Sequence, residues 1–237
     1  MPYENPITFT SEGKLLHGFT YFPHAEADET VPGVVICHPH PRAGGSMDNN
    51  VVLACCSGLR ANSIAYLRFN FQGVGQSEGT AGEPDNHVTD ILSAMEYLRG
   101  LSNINAEATG IAGYSFGGST TIKALLSGLS PAAAAIIACN FPQLTQIDKE
   151  NLGMPKLVIL GENDSFINPQ VMSETTESLG GANEIKLIPG ADHFFMGKEK
   201  LIASTIGDFF SSILGTPTCL LYTSDSADEG LGLDLGG

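Results

Sequence analysis

Positive charge is scarce in this chain: 11 Lys and Arg stand against 26 Asp and Glu, a formal net charge of −15 over 237 residues. That shortage argues against the basic patches that hold nucleic acid or anionic membrane surfaces, and the acidity is read as a solubility device. Long apolar runs are missing too; none approaches the roughly 18 residues that a membrane span needs. The opening Met1-Pro2-Tyr3-Glu4-Asn5-Pro6 lacks the basic-then-apolar order of a secretory leader. Cysteine is sparse and odd in number: Cys37, Cys55, Cys56, Cys139 and Cys219. The first four lie in apolar runs and read as reduced core thiols rather than a disulfide framework. The expectation is a cytoplasmic protein without nucleic-acid or membrane partners; a homodimer is compatible with it.

Short apolar runs alternate with stretches of helical period. Ile7–Thr10 and Leu15–Phe22 read as a hairpin turning at Ser11-Glu12-Gly13. Val31–Cys37, Ile64–Phe71, the run up to Gly113, Ala132–Cys139, Leu157–Leu160 and Ile185–Ile188 read as strands. Between them Met47–Leu59, His87–Leu98, Ser119–Ser127 and Gln170–Leu179 read as helices, and Lys198–Leu214 closes the series with Ile202, Ile206, Phe209, Phe210 and Ile213 on one stripe. Repeated β-α units imply an α/β fold: a mostly parallel, doubly wound sheet flanked by helices, in one domain over residues 1–215. From Thr216 to Gly237 the amphipathic period is lost and Asp225, Asp228, Glu229 and Asp234 have no basic counterpart. This acidic tail is expected to lie outside the fold. It also resembles translated sequencing-adapter DNA, as occurs in environmental gene collections.

The segment Thr109 to Gly118 sets Ser115 between Gly113 and Gly117, after an apolar run and before a helical one. A tight strand-to-helix turn lifts a serine hydroxyl clear of the backbone, and its crowding demands glycine two residues either side. The chain holds a second match, Gly75-Gln76-Ser77-Glu78-Gly79. There the turn-rich Thr80-Ala81-Gly82-Glu83-Pro84 follows, where no helix can start at once, so Ser77 is read as a loop serine.

A nucleophilic serine needs a base and a carboxylate to orient that base. Asp164 follows the strand Leu157–Leu160, and His193 follows Ile185–Ile188. Ligands bind beyond the C-terminal strand ends in such sheets, and the order Ser115, Asp164, His193 suits the elbow. Asp192 and Glu162 are rival acids. For the oxyanion, Phe116 offers an N–H at a helix start, and His40 offers one in the loop His38-Pro39-His40-Pro41-Arg42, where both prolines lack an N–H. Arg42 reads as a solvated loop residue. The pair His38-x-His40 could chelate zinc, yet the aspartate and further histidines of a binuclear site are missing, so no metal and no cofactor is expected.

These motifs in order resemble the α/β-hydrolase superfamily, and within it the small dienelactone-hydrolase-like and carboxylesterase-like proteins. The resemblance is carried by His38-Pro39-His40-Pro41 with Gly44-Gly45-Ser46-Met47-Asp48-Asn49, by Phe69-Asn70-Phe71-x-Gly73-Val74-Gly75-x-Ser77-x-Gly79, by Gly113-Tyr114-Ser115-Phe116-Gly117-Gly118, by Gly161-x-x-Asp164, and by Asp192-His193-Phe194. It spans about residues 5 to 214 and implies Ser115 as nucleophile, His193 as base and Asp164 as orienting acid. Dienelactone hydrolases proper carry cysteine at the nucleophile, so Ser115 moves the expectation toward a serine carboxylesterase acting on small esters. Gln72 stands where arginine is usual. About 15 residues join Asn140 to Lys156, too few for a cap domain, so an open site is expected with Phe141, Phe166, Phe194 and Phe195 as apolar walls. Lactonase, thioesterase or peptidase chemistry would use the same triad. A non-catalytic scaffold would be expected to lose a triad member, and none is lost.

Overall fold

A computed structural model describes residues 4–215, apart from 27–28, 83–86, 143, 146–147, 149 and 151; the expected tail and Cys219 lie outside the described residues. Strands β1 (Asn5–Ser11) and β2 (Lys14–Tyr21) form the expected hairpin. Its two-residue turn puts Glu12 and Gly13 both at positive φ, 48° and 73°, which matches the right-handed strand twist. Strands β3 (Val31–Cys37), β4 (Ala65–Phe69), β5 (Ile104–Tyr114), β6 (Ala133–Ile137), β7 (Lys156–Gly161) and β8 (Asn183–Ile188) complete one eight-stranded sheet. The order is β1-β2-β4-β3-β5-β6-β7-β8, antiparallel at β1/β2 and β2/β4 and parallel elsewhere.

The parallel strands are covered on both faces, which is why β4, β6 and β7 are buried at every residue. Side-chain alternation in β3 divides the core. Val34 and Ile36 pack with α1 (Asn50–Ala61) and α5 (Glu199–Leu214), against Val51, Leu59, Ile206 and Phe210. Val35 and Cys37 face the other way, toward Ile91, Met95 and Leu98 of α2 (Val88–Arg99) and Leu125 of α3 (Phe116–Leu126). Helix α4 (Pro169–Glu177) lays Met172 on Val158 and Leu160 of β7, and Asn168 caps it by accepting the N–H groups of Gln170 and Val171. Among the described residues no helix is long and apolar enough to cross a membrane.

Two helix starts differ from the sequence reading by more than one residue. The segment from Met47 does not begin α1; the Asn49 side chain accepts the Val51 N–H, so the helix opens at Asn50. Helix α3 begins at Phe116, three residues before the apolar period becomes visible, because Gly117 and Gly118 carry no side chain to show it. In α2, Ile91, Met95 and Leu98 are buried while Leu92 is exposed. Cys37, Cys55, Cys56 and Cys139 are buried free thiols whose ionisation burial makes harder.

Candidate active site

Strand β5 ends at Tyr114, and the chain turns into α3 through Ser115, which takes φ 54° and ψ −113°. A side chain at Gly113 would meet the Gly117 carbonyl oxygen at 2.5 Å, and one at Gly117 would meet the Cys37 carbonyl oxygen at 2.3 Å. The glycine spacing is thus a steric requirement of the elbow. The half-buried Ser115 hydroxyl lies 3.0 Å from His193 Nε2, and His193 Nδ1 lies 2.8 Å from Asp164 Oδ2.

Asp164 leaves β7 in a turn that spends its second oxygen on the Phe166 and Ile167 N–H groups, at 2.8 and 3.0 Å. Its side chain is fully buried, whereas that of His193 keeps 12% of its surface. With the carboxylate accepting the Nδ1 proton, Nε2 is the basic nitrogen facing the serine. The rival acids are committed elsewhere. Asp192 Oδ1 accepts the Phe194 and Phe195 N–H groups, and Glu162 Oε2 accepts the Gly190 N–H.

His40 and Phe116 line one cavity with Ser115, of about 290 Å³, whose remaining walls include Ser119, Cys139 and Ile167. The His40 and Phe116 rings stand 4.8 Å apart. The His40 carbonyl accepts the Ala43 and Gly45 N–H groups and its Nδ1 accepts the Arg42 N–H, closing the short 3₁₀ turn Pro41–Ala43. The Phe116 N–H sits in the first turn of α3, where backbone donors have no intrahelical acceptor.

The four expected walls separate. The Phe166 and Phe194 rings flank the His193 imidazole at 4.9 and 5.6 Å, and both are more than half exposed. Phe195 is a correction: it is fully buried in the α1/α5 side of the core, edge-on to Tyr114, because its positive φ of 53° swings it inward. Phe141 is half-buried and packs on the core clusters that hold Phe116, Cys139 and Ile167, behind the cavity lining rather than in it.

The second glycine-flanked serine proves to be an internal strut. Ser77 Oγ donates to the Asn70 carbonyl and accepts the His17 N–H. Asn70 Oδ1 in turn accepts the Met47 N–H, and His38 Nε2 accepts the Phe71 N–H at 3.1 Å while Nδ1 engages the Pro39 carbonyl. The Phe69–Gly79 stretch therefore holds both ends of the loop that carries His40. Burial lowers the His38 pKa from 6.5 to about 4, and both of its nitrogens are engaged, one by the Pro39 carbonyl and one by the Phe71 N–H. Neither motif shows by itself that one braces the other; their joint presence in the sequence is the signal.

The dienelactone hydrolase family profile matches residues 74–206. An uncharacterized protein of Rickettsia prowazekii is 29% identical over 195 residues, 77% of this chain and 79% of that one. Among solved structures, a Xanthomonas campestris protein described as an α/β serine hydrolase without a lid is 25% identical with TM-score 0.75, covering 88% of this chain and 94% of that one. The ferulic-acid complex of Est1E from Butyrivibrio proteoclasticus aligns with TM-score 0.76 at 16% identity, over 89% of this chain and all of its own, a likeness of fold. With the family profile spanning more than half the chain and the fold aligning with an α/β serine hydrolase described as lidless, this α/β hydrolase belongs to the dienelactone hydrolase family.

Proposed function

We propose that the protein is a serine carboxylesterase that hydrolyses small carboxylic esters through an acyl-enzyme on Ser115. The observation that carries this reading is the continuous chain Ser115 Oγ–His193 Nε2 and His193 Nδ1–Asp164 Oδ2, at 3.0 and 2.8 Å. In the first half-reaction His193 takes the Ser115 proton as Oγ bonds to the ester carbonyl carbon. The carbonyl π pair moves onto oxygen, and the Phe116 and His40 N–H groups hold that oxyanion. Collapse breaks the bond to the alkoxy oxygen, which leaves as alcohol with the proton from His193. Water then repeats the sequence on the acyl-serine and releases the acid. Asp164 holds the imidazole in the required tautomer through its bond to Nδ1.

The cavity beside Ser115 supports a short acyl group, while Phe166 and Phe194 supply apolar contact around His193. The proposed chemistry needs no cofactor, and its proposed partner is the ester alone. Lactone opening is the second reading, favoured by the family match; the same attack would leave the alcohol tethered to the acyl group. We assign catalysis to residues 1–215 and place the protein in the cytoplasm, a reading supported by the four buried free thiols.

The test is hydrolysis of p-nitrophenyl acetate, butyrate, octanoate and palmitate by the wild type and Ser115→Ala. Turnover of the short esters that falls by about 10⁶ in the variant supports the proposal. Turnover indifferent to Ser115 overturns it.

A further inference from the structure

The chain contains a second Asp–His pair, buried beside Phe116 and unused by the proposed chemistry. His87 Nδ1 lies 2.9 Å from Asp90 Oδ2, with 1% and 0% of the two side chains exposed. Asp90 also accepts the Ser11 hydroxyl at 2.7 Å, the Gln72 N–H at 3.0 Å and the Gln72 side-chain amide at 2.8 Å. Burial pushes this carboxyl up, but the bonds from His87, Gln72 and Ser11 outweigh it and hold it below the ordinary range. Asp90 therefore stays ionised, and His87 Nε2, left as an acceptor, takes the Gly82 N–H at 3.0 Å.

This hub reaches the reacting centre through rings. The His87 ring centroid is 5.7 Å from that of Phe116 and 5.1 Å from that of Phe71. Phe71 lies 5.7 Å from Phe116 on a second side, and His40 closes a third at 4.8 Å. The residue whose N–H is the proposed oxyanion donor thus has its side chain held among three rings, one fixed by the buried carboxylate. Such donors work only when held about 2.7–3.1 Å from where the oxyanion forms, so the orientation of Phe116 bears directly on rate.

We infer that His87 and Asp90 are positioning residues for the oxyanion side of the site, fixing Phe116 through ring contact; this rests on the esterase reading above. His87→Phe keeps a ring against Phe116 and Phe71 but removes both hydrogen bonds, and Asp90→Asn weakens the hub itself. Tyr66→Phe serves as a stability control, since it deletes a hydroxyl bonded to Glu4 in the other face of the core.

The experiment measures kcat and KM on p-nitrophenyl acetate per Ser115 titrated with a fluorophosphonate, together with Tm and amide exchange across residues 114–118. His87→Phe and Asp90→Asn are expected to lower kcat about tenfold or more, with KM within about threefold, and to speed that exchange. Tyr66→Phe should lower Tm and leave kcat per titrated site unchanged. Unchanged kcat per site in His87→Phe, or a Tyr66→Phe loss of kcat matching its loss of Tm, overturns the inference. Should Asp90→Asn fail to fold, His87→Phe decides alone. Should no ester be hydrolysed, the esterase reading falls by itself; unchanged exchange over 114–118 in His87→Phe would still overturn the positioning role, and faster exchange would support it.

Discussion

The Tyr114 hydroxyl donates a 2.8 Å hydrogen bond to the carbonyl oxygen of His193, so the residue before the proposed nucleophile holds the loop of the proposed base. Burial, then the charges of Asp164 and Asp192, push this phenol far above its ordinary pKa, and it remains a donor throughout the working range. Tyr114→Phe is expected to lower kcat about three- to tenfold through loss of alignment, with KM little changed. Stability should fall by about 1 kcal/mol, the usual net worth of one hydrogen bond. Steady-state kinetics and urea unfolding check the two effects separately.

The two glycine-flanked serines should part company under mutation. Ser115→Ala removes the proposed nucleophile and should abolish ester turnover without loss of fold. Ser77→Ala should keep kcat within about threefold but lose about 1–3 kcal/mol, since it leaves the His17 N–H and the Asn70 carbonyl without their partner. Denaturant midpoints beside initial rates reveal both.

Adjacent phenylalanines should also differ. Phe194→Ala and Phe166→Ala each strip apolar surface from the rim around His193 and should reduce kcat/KM for p-nitrophenyl esters about three- to thirtyfold, with Tm nearly unchanged. Phe195→Ala opens a hole in a fully buried position and should cost about 3–5 kcal/mol. Thermal melts of the three variants make the comparison.

His38 predicts an acid limb to stability. Its imidazole resists protonation until about pH 4 when folded, against an ordinary 6.5. Between those values the unfolded chain binds a proton that the folded chain refuses, so stability falls as pH is lowered from 6.5 and the loss saturates near 4. The contribution is about 3 kcal/mol over that window. Urea unfolding at a series of pH values should show it, and His38→Gln should flatten that part of the slope.

Features that depend on neighbours in the chain were legible in the sequence. Val31–Cys37 was read to the residue, because a buried parallel strand declares itself as an unbroken apolar run. Ser115, Asp164 and His193 emerged because each follows a strand end, and the structure brings their side chains into hydrogen-bonding contact. Features that depend on distance along the chain were not legible. Asp90 gathers Ser11 from 79 positions away and Gln72 from 18, and neither spacing repeats or advertises itself. Nor does composition separate Phe194 from Phe195, since one positive φ sends the second into the core. Gln72 stands out in the sequence, but only the fold shows the carboxylate it meets.

The left-handed backbone at Ser115 sets activity against durability. A non-glycine residue at φ 54° and ψ −113° carries a conformational penalty of about 1–3 kcal/mol, held in place by the surrounding fold. Glycine alone would sit there at ease, so Ser115→Gly should yield an inert protein that outlasts the working enzyme on heating. Selection for thermal endurance alone would then favour erasing the proposed nucleophile. A screen for hardier versions of this chain has to demand turnover in the same round, or it will collect hydrolases that no longer hydrolyse.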